Sequence, residues 1–392
     1  AKRQLKRPVF RVLYVDICIL INNIMKLIID NIIFYWQRSG GISVVWNELI
    51  KRFLKNQTDG RIALEDCGDL ELGFIDYDNS SENKFRNSLN IPASFMNKVI
   101  SHKGMIIKRY LSQPFKCREK FLFHSSYYRT CCNKNAINVI TVHDFTYELF
   151  QHGVKKFIHR ITKNRAIRKA DYVICISENT KKDLLELVDG VDEKKVFVIY
   201  NGVSDTYRLL DDGSRYKEGD KPYLVFVGGR DGYKNFEVAL NIAKQSGMRL
   251  KIVGRKLSEE EQKHVADVLE NNYEDLGFVS DEELNSLYNK AFALIYPSSY
   301  EGFGLPVIEA QRAGCPVLAL NKSSIPEIIG NKEILVADEA VSSFIEKIDK
   351  LKNLEFRKRI IADGIENSNR FSWDNTYKGY LELYKLIMKG TK

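Results

Sequence analysis

The stretch that most constrains this chain runs from Tyr296 to Gly314, YPSSYEGFGLPVIEAQRAG. The apolar run Phe292–Tyr296 reads as a buried strand, and the residues after it read as a Gly-rich turn and the first turns of a helix. Gly302 and Gly304 let the backbone of the turn approach a ligand closely. Pro306 suits the first helical turn, where its missing N–H costs nothing. The amides there would face an anion or a ring of hydroxyls. Glu301 in the turn and Glu309 on the helix flank this donor array, with seven residues between them. An ordinary strand–turn–helix has no need of an acid at both places.

The 392 residues are enough for two domains. An apolar fraction of 44% with 28% charged residues places the chain among globular proteins and excludes a disordered or fibrous one. The seven cysteines (Cys18, Cys67, Cys117, Cys131, Cys132, Cys175 and Cys315) are scattered and contain no C-x-x-C pair. That pattern points to core thiols in a reducing compartment and away from zinc. The most apolar candidate for a membrane span, Val9–Tyr35, is broken by Arg11, Asp16, Lys26 and Asp30, so no transmembrane helix is expected there. Charge is uneven: residues 1–200 carry 33 Lys and Arg against 21 Asp and Glu, whereas residues 201–392 carry 27 against 30. A basic first half fits an anionic membrane surface or an anionic acceptor. Nucleic acid is a poorer match, because no recognised binding module accompanies the charge.

The opening 24 residues read as an N-terminal extension, with a second beginning at Met25, although Val9–Asp16 could form a strand. A strand over Leu27–Ile33 leads through Gln37–Gly41 into a helix with apolar positions Ile42, Val45, Trp46, Leu49, Ile50 and Phe53. Gly40 and Gly41 thus stand at the carboxyl end of a first strand, where open α/β sheets bind ligands. Short strand-like runs at Leu72–Ile75 and Met105–Ile107 come after this helix. Around the second, Lys98, His102, Lys103, Lys108 and Arg109 are interleaved with apolar residues, as in a membrane-surface patch or a solvated helix face. The apolar runs Phe121–His124 and Val139–Val142 read as buried strands. The second ends in His143-Asp144, where a neutral imidazole can bond a sugar hydroxyl or a phosphate oxygen. A basic helix over about Val154–Lys169 and a strand at Tyr172–Ile176 come next. Ser177 is placed to cap the following helix, and Val196–Tyr200 is a last strand before a polar linker at about 201–220.

The second half alternates strand and helix more regularly. Tyr223–Val227 is followed by Gly228-Gly229-Arg230-Asp231-Gly232-Tyr233-Lys234-Asn235 and a helix to Gln245. Two glycines and two cations four residues apart make a reasonable diphosphate clamp, with Arg230 binding bidentately and Lys234 as a point charge. Leu250–Val253, Glu259–Leu269, the Leu276–Ser280 run and a helix from Asp281 lead back to Phe292. The turn Ser324-Ile325-Pro326-Glu327-Ile328 and a long helix after Phe371-Ser372-Trp373 complete the chain.

The segment EGFGLPVIEA, with a strand before it and AGCPV after it, resembles the E-x7-E motif of retaining glycosyltransferases of family 4, which have the GT-B fold. The likeness runs from about Met25 to Met388, densest in the second half. It implies an α/β protein of two Rossmann-like domains with parallel sheets facing across a cleft. Residues 25–200 would form the acceptor domain, residues 201–371 the nucleotide-sugar domain, and a C-terminal helix (about 372–390) would cross back to the first. The resemblance also assigns roles. Gly229, Arg230 and Lys234 would hold the diphosphate, and Glu309 the ribose hydroxyls. Glu301, Gly302 and the amides of Phe303, Gly304 and Leu305 would hold the sugar, while Phe278 and Val279 would present their backbone to the base. Gly40, Gly41 and His143 would close the site, with His143, Glu301, Arg230 and Lys234 serving catalysis. It further implies a UDP- or GDP-linked hexose donor, retention of configuration without metal or cofactor, and no protein nucleophile. The acceptor would be a glycan or a lipid-linked molecule of surface-polysaccharide assembly, and the basic first half suggests peripheral work at the cytoplasmic face of the inner membrane. A catalytically silent binding subunit and a UDP-sugar epimerase share the fold and stand as alternatives.

Overall fold

The computed structural model describes residues 24–78, 82–101, 111–150, 153–210, 216 and 221–391. The extension, including Val9–Asp16, lies outside the described residues. So do Met105–Ile107 and, with them, His102, Lys103, Lys108 and Arg109 of the basic patch.

The first sheet contains β1 (Ile24–Asp30), β2 (Arg61–Leu64), β3 (Gly68–Tyr77), β4 (Met96–Ile100), β5 (Phe121–Ser125), β6 (Ala136–Val142), β7 (Tyr172–Cys175) and β8 (Val196–Val198). Its order is β2-β3-β1-β5-β6-β7-β8, with β4 beside the far end of β3. Only β2 is antiparallel. The central strands are continuous apolar runs because helices cover both faces: Leu27, Ile29, Phe121, Phe123, Val139 and Ile140 are all buried. The strand expected through Ile33 ends earlier, at Asp30, and Ile32–Trp36 forms a short helix. Asp30 explains the break. Its buried carboxylate accepts from the Tyr77 hydroxyl (2.6 Å) and Ser125 Oγ (3.1 Å), and Asn31 then leaves the extended conformation. Ile32, Ile33 and Phe34 stay in the core either way, so the apolar pattern alone could not separate strand from helix.

The second sheet is wholly parallel: β9 (Tyr223–Val227), β10 (Arg249–Val253), β11 (Tyr273–Gly277), β12 (Ala293–Tyr296) and β13 (Val317–Ala319), in the order β11-β10-β9-β12-β13. Strand order reverses between β9 and β12, which opens a crevice at their carboxyl ends. The Arg230/Lys234 loop leaves β9 there, and the Glu301 turn leaves β12. Ser258 and Ser280 each close a capping box, with Glu261 and Glu283.

The helix Trp373–Gly390 packs back on the first domain, as expected. Trp373, Tyr377, Tyr380, Tyr384 and Ile387 form a helical stripe buried in that domain's core beside Trp46 and Phe53. Tyr377 meets the Phe53 ring at 5.3 Å, and the Tyr384 hydroxyl bonds His124 Nδ1 at 2.7 Å. Nε2 of that histidine is 3.1 Å from Thr141 Oγ1, so both ring nitrogens are partnered. Burial pulls the His124 pKa down to about 3, which keeps the ring neutral. Removing the hydroxyl should strand a buried ring nitrogen. Tyr384→Phe is expected to destabilise the protein by about 1–2 kcal/mol in urea unfolding; an unchanged midpoint would mean the hydroxyl does not anchor the helix.

Candidate functional site

Two loops meet at the second sheet's crevice. After β9 the chain turns through Gly228 and Gly229 into a short 3-10 turn, Gly232–Lys234. Asn235 follows in the left-handed region (φ 52°), and its Nδ2 donates to Pro297 O (2.9 Å) and Ser299 Oγ (2.8 Å). That side chain therefore ties the β9 loop to the β12 loop. Lys234 is carried into the tie, and its Nζ lies 2.6 Å from Glu301 Oε1, both side chains being nearly buried. The two motifs, 67 residues apart, converge on one ion pair.

The turn itself is held from behind. Ser323 Oγ accepts from the Glu301 amide (2.8 Å), and Ser324 Oγ donates to the carbonyls of Glu301 and Phe303. Gly304 adopts φ 105°, and a Cβ there would press Ile325 Cδ1 at 2.9 Å, so glycine is required on both counts. Phe303 is buried with its ring 6.1 Å from Tyr200 and 5.8 Å from Phe371. The amides of Gly302, Phe303, Gly304 and Leu305 have no acceptor among the described residues. They form the open donor array expected at the start of the Leu305–Arg312 helix.

Glu309, on that helix, sits in different electrostatic surroundings. Burial and the nearby Asp281 push its pKa up to about 8. Glu301 thus faces a cation and Glu309 faces another acid. Near neutral pH this shift biases the ligand-free Glu309 toward its protonated form.

Arg230 departs from the expected clamp. Its guanidinium makes two hydrogen bonds to the Glu261 carboxylate (2.9 and 3.1 Å) and one each to the carbonyls of Arg255 and Lys256. The bonds to Arg230 hold Glu261 down at about 2. Lys234 and Glu301 are brought together; Arg230 is committed to the N-terminus of the Glu259–Leu269 helix. Phe278 projects into solvent and is 84% exposed, whereas Val279 is packed against the second core. Gly229 is exposed, with room for a Cβ limited only by the Asp231 carboxylate.

From the first domain, Gly40 precedes the Gly41–Lys55 helix and its carbonyl accepts from Ser43 Oγ (2.8 Å). A Cβ on Gly41 would meet nothing within 4 Å, so the protein's own packing does not demand glycine there. His143 follows β6 directly and is buried, with Nε2 unpartnered among the described residues. Burial draws its pKa down to about 4, opposed by Asp144 and reinforced by Lys163, so the ring is neutral at pH 7. Its carbonyl lies against Gly302: a Cβ on that glycine would sit 2.0 Å from His143 O. The residues expected from the sequence thus stand on both sides of a real contact between the domains.

Several residues have roles in this contact that the sequence does not announce, Ser177 among them although it is a legible helix cap. The Gly302 carbonyl accepts from Ser177 Oγ (2.7 Å) and Thr180 Oγ1 (3.1 Å) of the first domain. Glu327 of the second domain accepts from the amides of Glu178 and Asn179 (2.9 and 3.0 Å) and from the Tyr200 hydroxyl (3.0 Å). It therefore caps a helix belonging to the other domain. The Tyr300 hydroxyl bridges Phe145 N (3.0 Å) and Asp183 Oδ2 (2.7 Å). Behind His143, buried Lys163 donates to Asp144 O (2.5 Å) and Glu148 Oε2 (3.1 Å). The Ser324–Ile328 turn was the available signal for Glu327; Lys163 looked like one more cation of a basic helix.

This architecture, two α/β domains meeting across a crevice with a terminal helix crossing back, is the GT-B fold. The "Glycosyl transferases group 1" family profile matches residues 210–367, and that of "Glycosyltransferase Family 4" matches residues 120–207. Together these matches support a glycosyltransferase of the family-4 type. An uncharacterized glycosyltransferase of Methanocaldococcus jannaschii is 27% identical over 383 residues, spanning 92% of this chain and 98% of the relative. O-antigen chain mannosyltransferase B of Escherichia coli is 40% identical over 116 residues, 29% of this chain and 30% of that protein. Among solved structures, Anabaena Alr3699/HepE in complex with UDP and glucose superimposes with a TM-score of 0.65 at 16% identity, covering 92% of this chain and 98% of that one. Sucrose-phosphate synthase from Thermosynechococcus elongatus does so with a TM-score of 0.65 at 15% identity, covering 93% and 100%.

The Glu309 shift gives a signed prediction. Its folded pKa is raised from 4.5 to about 8, so its favourable contribution is complete below pH 4.5 and is lost as pH rises to about 8. Glu309→Gln should remove that slope, making the variant more stable than the wild type at pH 8.5 relative to their difference at about pH 5. Parallel pH–stability curves from thermal unfolding would contradict the assignment.

Proposed function

We propose that this chain transfers a hexose-type sugar, with retention at the anomeric carbon, from a nucleotide diphosphate sugar to a glycan or lipid-linked acceptor. The observation that carries this reading is the Lys234–Glu301 pair at the mouth of the open amide array. Breaking the anomeric C–O bond leaves negative charge on the departing diphosphate and positive character on the sugar. A cation beside one side of that bond and a carboxylate holding the sugar hydroxyls meet both demands, and preorganised amides need no reorganisation as charge develops. The acceptor oxygen forms the new bond on the face the diphosphate leaves, and its proton passes to a departing phosphate oxygen. No protein nucleophile is needed. His143, neutral and with a free Nε2, is suited to bond a sugar hydroxyl or phosphate oxygen from the opposite domain. Gly41, whose Cα faces open space, leaves room for the diphosphate or acceptor. In this scheme Arg230 would reach the diphosphate only by leaving Glu261.

The relatives support a place in surface-polysaccharide assembly. O-antigen chain mannosyltransferases of Escherichia coli and Salmonella typhimurium are among them, the latter 29% identical over 246 residues, 60% of this chain and 66% of that protein. They favour a mannose-carrying donor. Among the described residues no helix is long and apolar enough to cross a membrane. The basic first half supports peripheral work at the cytoplasmic face of an inner membrane, and the reaction is proposed to proceed without metal.

Lys234→Ala and Glu301→Ala should each lower transfer by about 10²-fold or more while the protein stays folded. The assay is transfer from labelled nucleotide sugars, chosen by a thermal-shift screen and run with and without EDTA. Full transfer in both variants would overturn the reading, and donor binding with no transfer to any acceptor would favour a silent binding subunit.

A further inference from the structure

The described surface has one concentration of large exposed apolar side chains. Tyr147, Leu149 and Phe150 lie on the Thr146–Phe150 helix, and Phe157, Ile158 and Ile161 on the Val154–Lys169 helix. Phe157 is 61% exposed. These residues are not a misplaced core, because the longer helix has already buried its other side: Lys163, Ala166, Ile167 and Ala170 pack into the first domain. The outward arc instead carries Phe157, Ile158 and Ile161, flanked and followed by exposed Arg160, Arg165, Arg168 and Lys169. The stretch 154–169 holds seven Lys and Arg and no acid. Among the described residues none of those four exposed cations is in an ion pair, and the nearby Glu148 is turned inward to Lys163.

We propose that the outward faces of these two helices form a docking surface for an anionic lipid bilayer, set at the lip of the cleft. The charge carries the choice of occupant. Aromatic and aliphatic side chains suited to the interfacial zone stand beside a cluster of cations with no intervening acid, the pattern that binds an anionic membrane in the interface plane. The place fits as well. The Thr146–Phe150 helix begins three residues after His143, and Phe150 stands 5.0 Å from the Tyr233 ring and 5.7 Å from the Tyr300 ring across the domain contact. Those tyrosines adjoin Lys234 and Glu301. A bilayer seated here would hold a lipid-linked acceptor next to the crevice. The surface deepens the proposed transfer reaction, on which its use for an acceptor rests.

Flotation of the full chain with phosphatidylcholine vesicles, with and without phosphatidylglycerol, tests it. The wild type should float with anionic vesicles at low salt and be released by high salt. Two variants separate the contributions: Phe157→Ser/Ile161→Ser removes the apolar ridge, and Arg165→Glu/Arg168→Glu/Lys169→Glu reverses the charge. Each should lose about tenfold or more of the vesicle-bound fraction, while melting temperature and nucleotide-sugar binding stay as in the wild type. Flotation that is indifferent to phosphatidylglycerol, or variants that float like the wild type, would overturn the proposal. So would a concentration-dependent dimer in sedimentation that the apolar variant abolishes without any change in flotation, which would make the face a contact between copies. Salt-sensitive flotation in a chain that binds no nucleotide sugar would sink the transfer reading and leave the surface standing.

Discussion

The structure depends on how closely Gly302 can approach the first domain. Its Cα stands where a methyl group would fall 2.0 Å from His143 O, and its carbonyl is held by Ser177 and Thr180. Every element of the site is referred to that contact. The Glu301 turn is fixed on one side by Ser323 and Ser324 and on the other by the neighbouring domain. Glu327 secures the same seam by supplying the carboxylate that the Glu178–Leu187 helix takes at its first amides. A helix N-terminus already capped by its own Ser177 thus takes a further carboxylate from the other domain.

Electrostatics divide the two acids of the motif. Glu301 is balanced by Lys234 at 2.6 Å. Removing both charges from bulk water is costly, and the close geometry with its direct hydrogen bond offsets part of that cost. Burial, with Asp281 nearby, raises the Glu309 pKa to about 8. The two carboxyls of one motif thus stand in different surroundings, one beside a cation and the other buried beside an acid. Burial likewise keeps the His143 ring neutral, so it adds no charge to the seam.

Much of this was legible in the sequence, and unevenly. The second domain was read almost strand for strand because each βα unit there is a short apolar run closed by glycine or by a capping serine, as at Ser280 with Glu283. The E-x7-E turn and its partner loop were legible for the same reason: glycines and a proline fix the backbone locally. The first domain was harder where the apolar pattern runs on through a change of conformation, as from Asp30 into Ile32–Trp36. Pairings between distant side chains were the least legible. Nothing near Arg230 announces that Glu261, 31 residues on, will engage its guanidinium. Lys163 could not be told from the solvated cations of its helix until the fold turned it inward beneath Asp144.

The central claim is that donor binding belongs to the second domain while transfer requires the domains to meet at Gly302. Gly302→Ala tests it most directly, because the substitution keeps the backbone amide while its methyl group would meet His143 O across the domain contact. Nucleotide-sugar binding by calorimetry and transfer to acceptor should be measured on the same preparation. The account predicts binding within a few-fold of the wild type and transfer lowered by about 10²-fold or more, as expected when reacting groups are misplaced by about an ångström. Transfer at the wild-type rate in Gly302→Ala would contradict it.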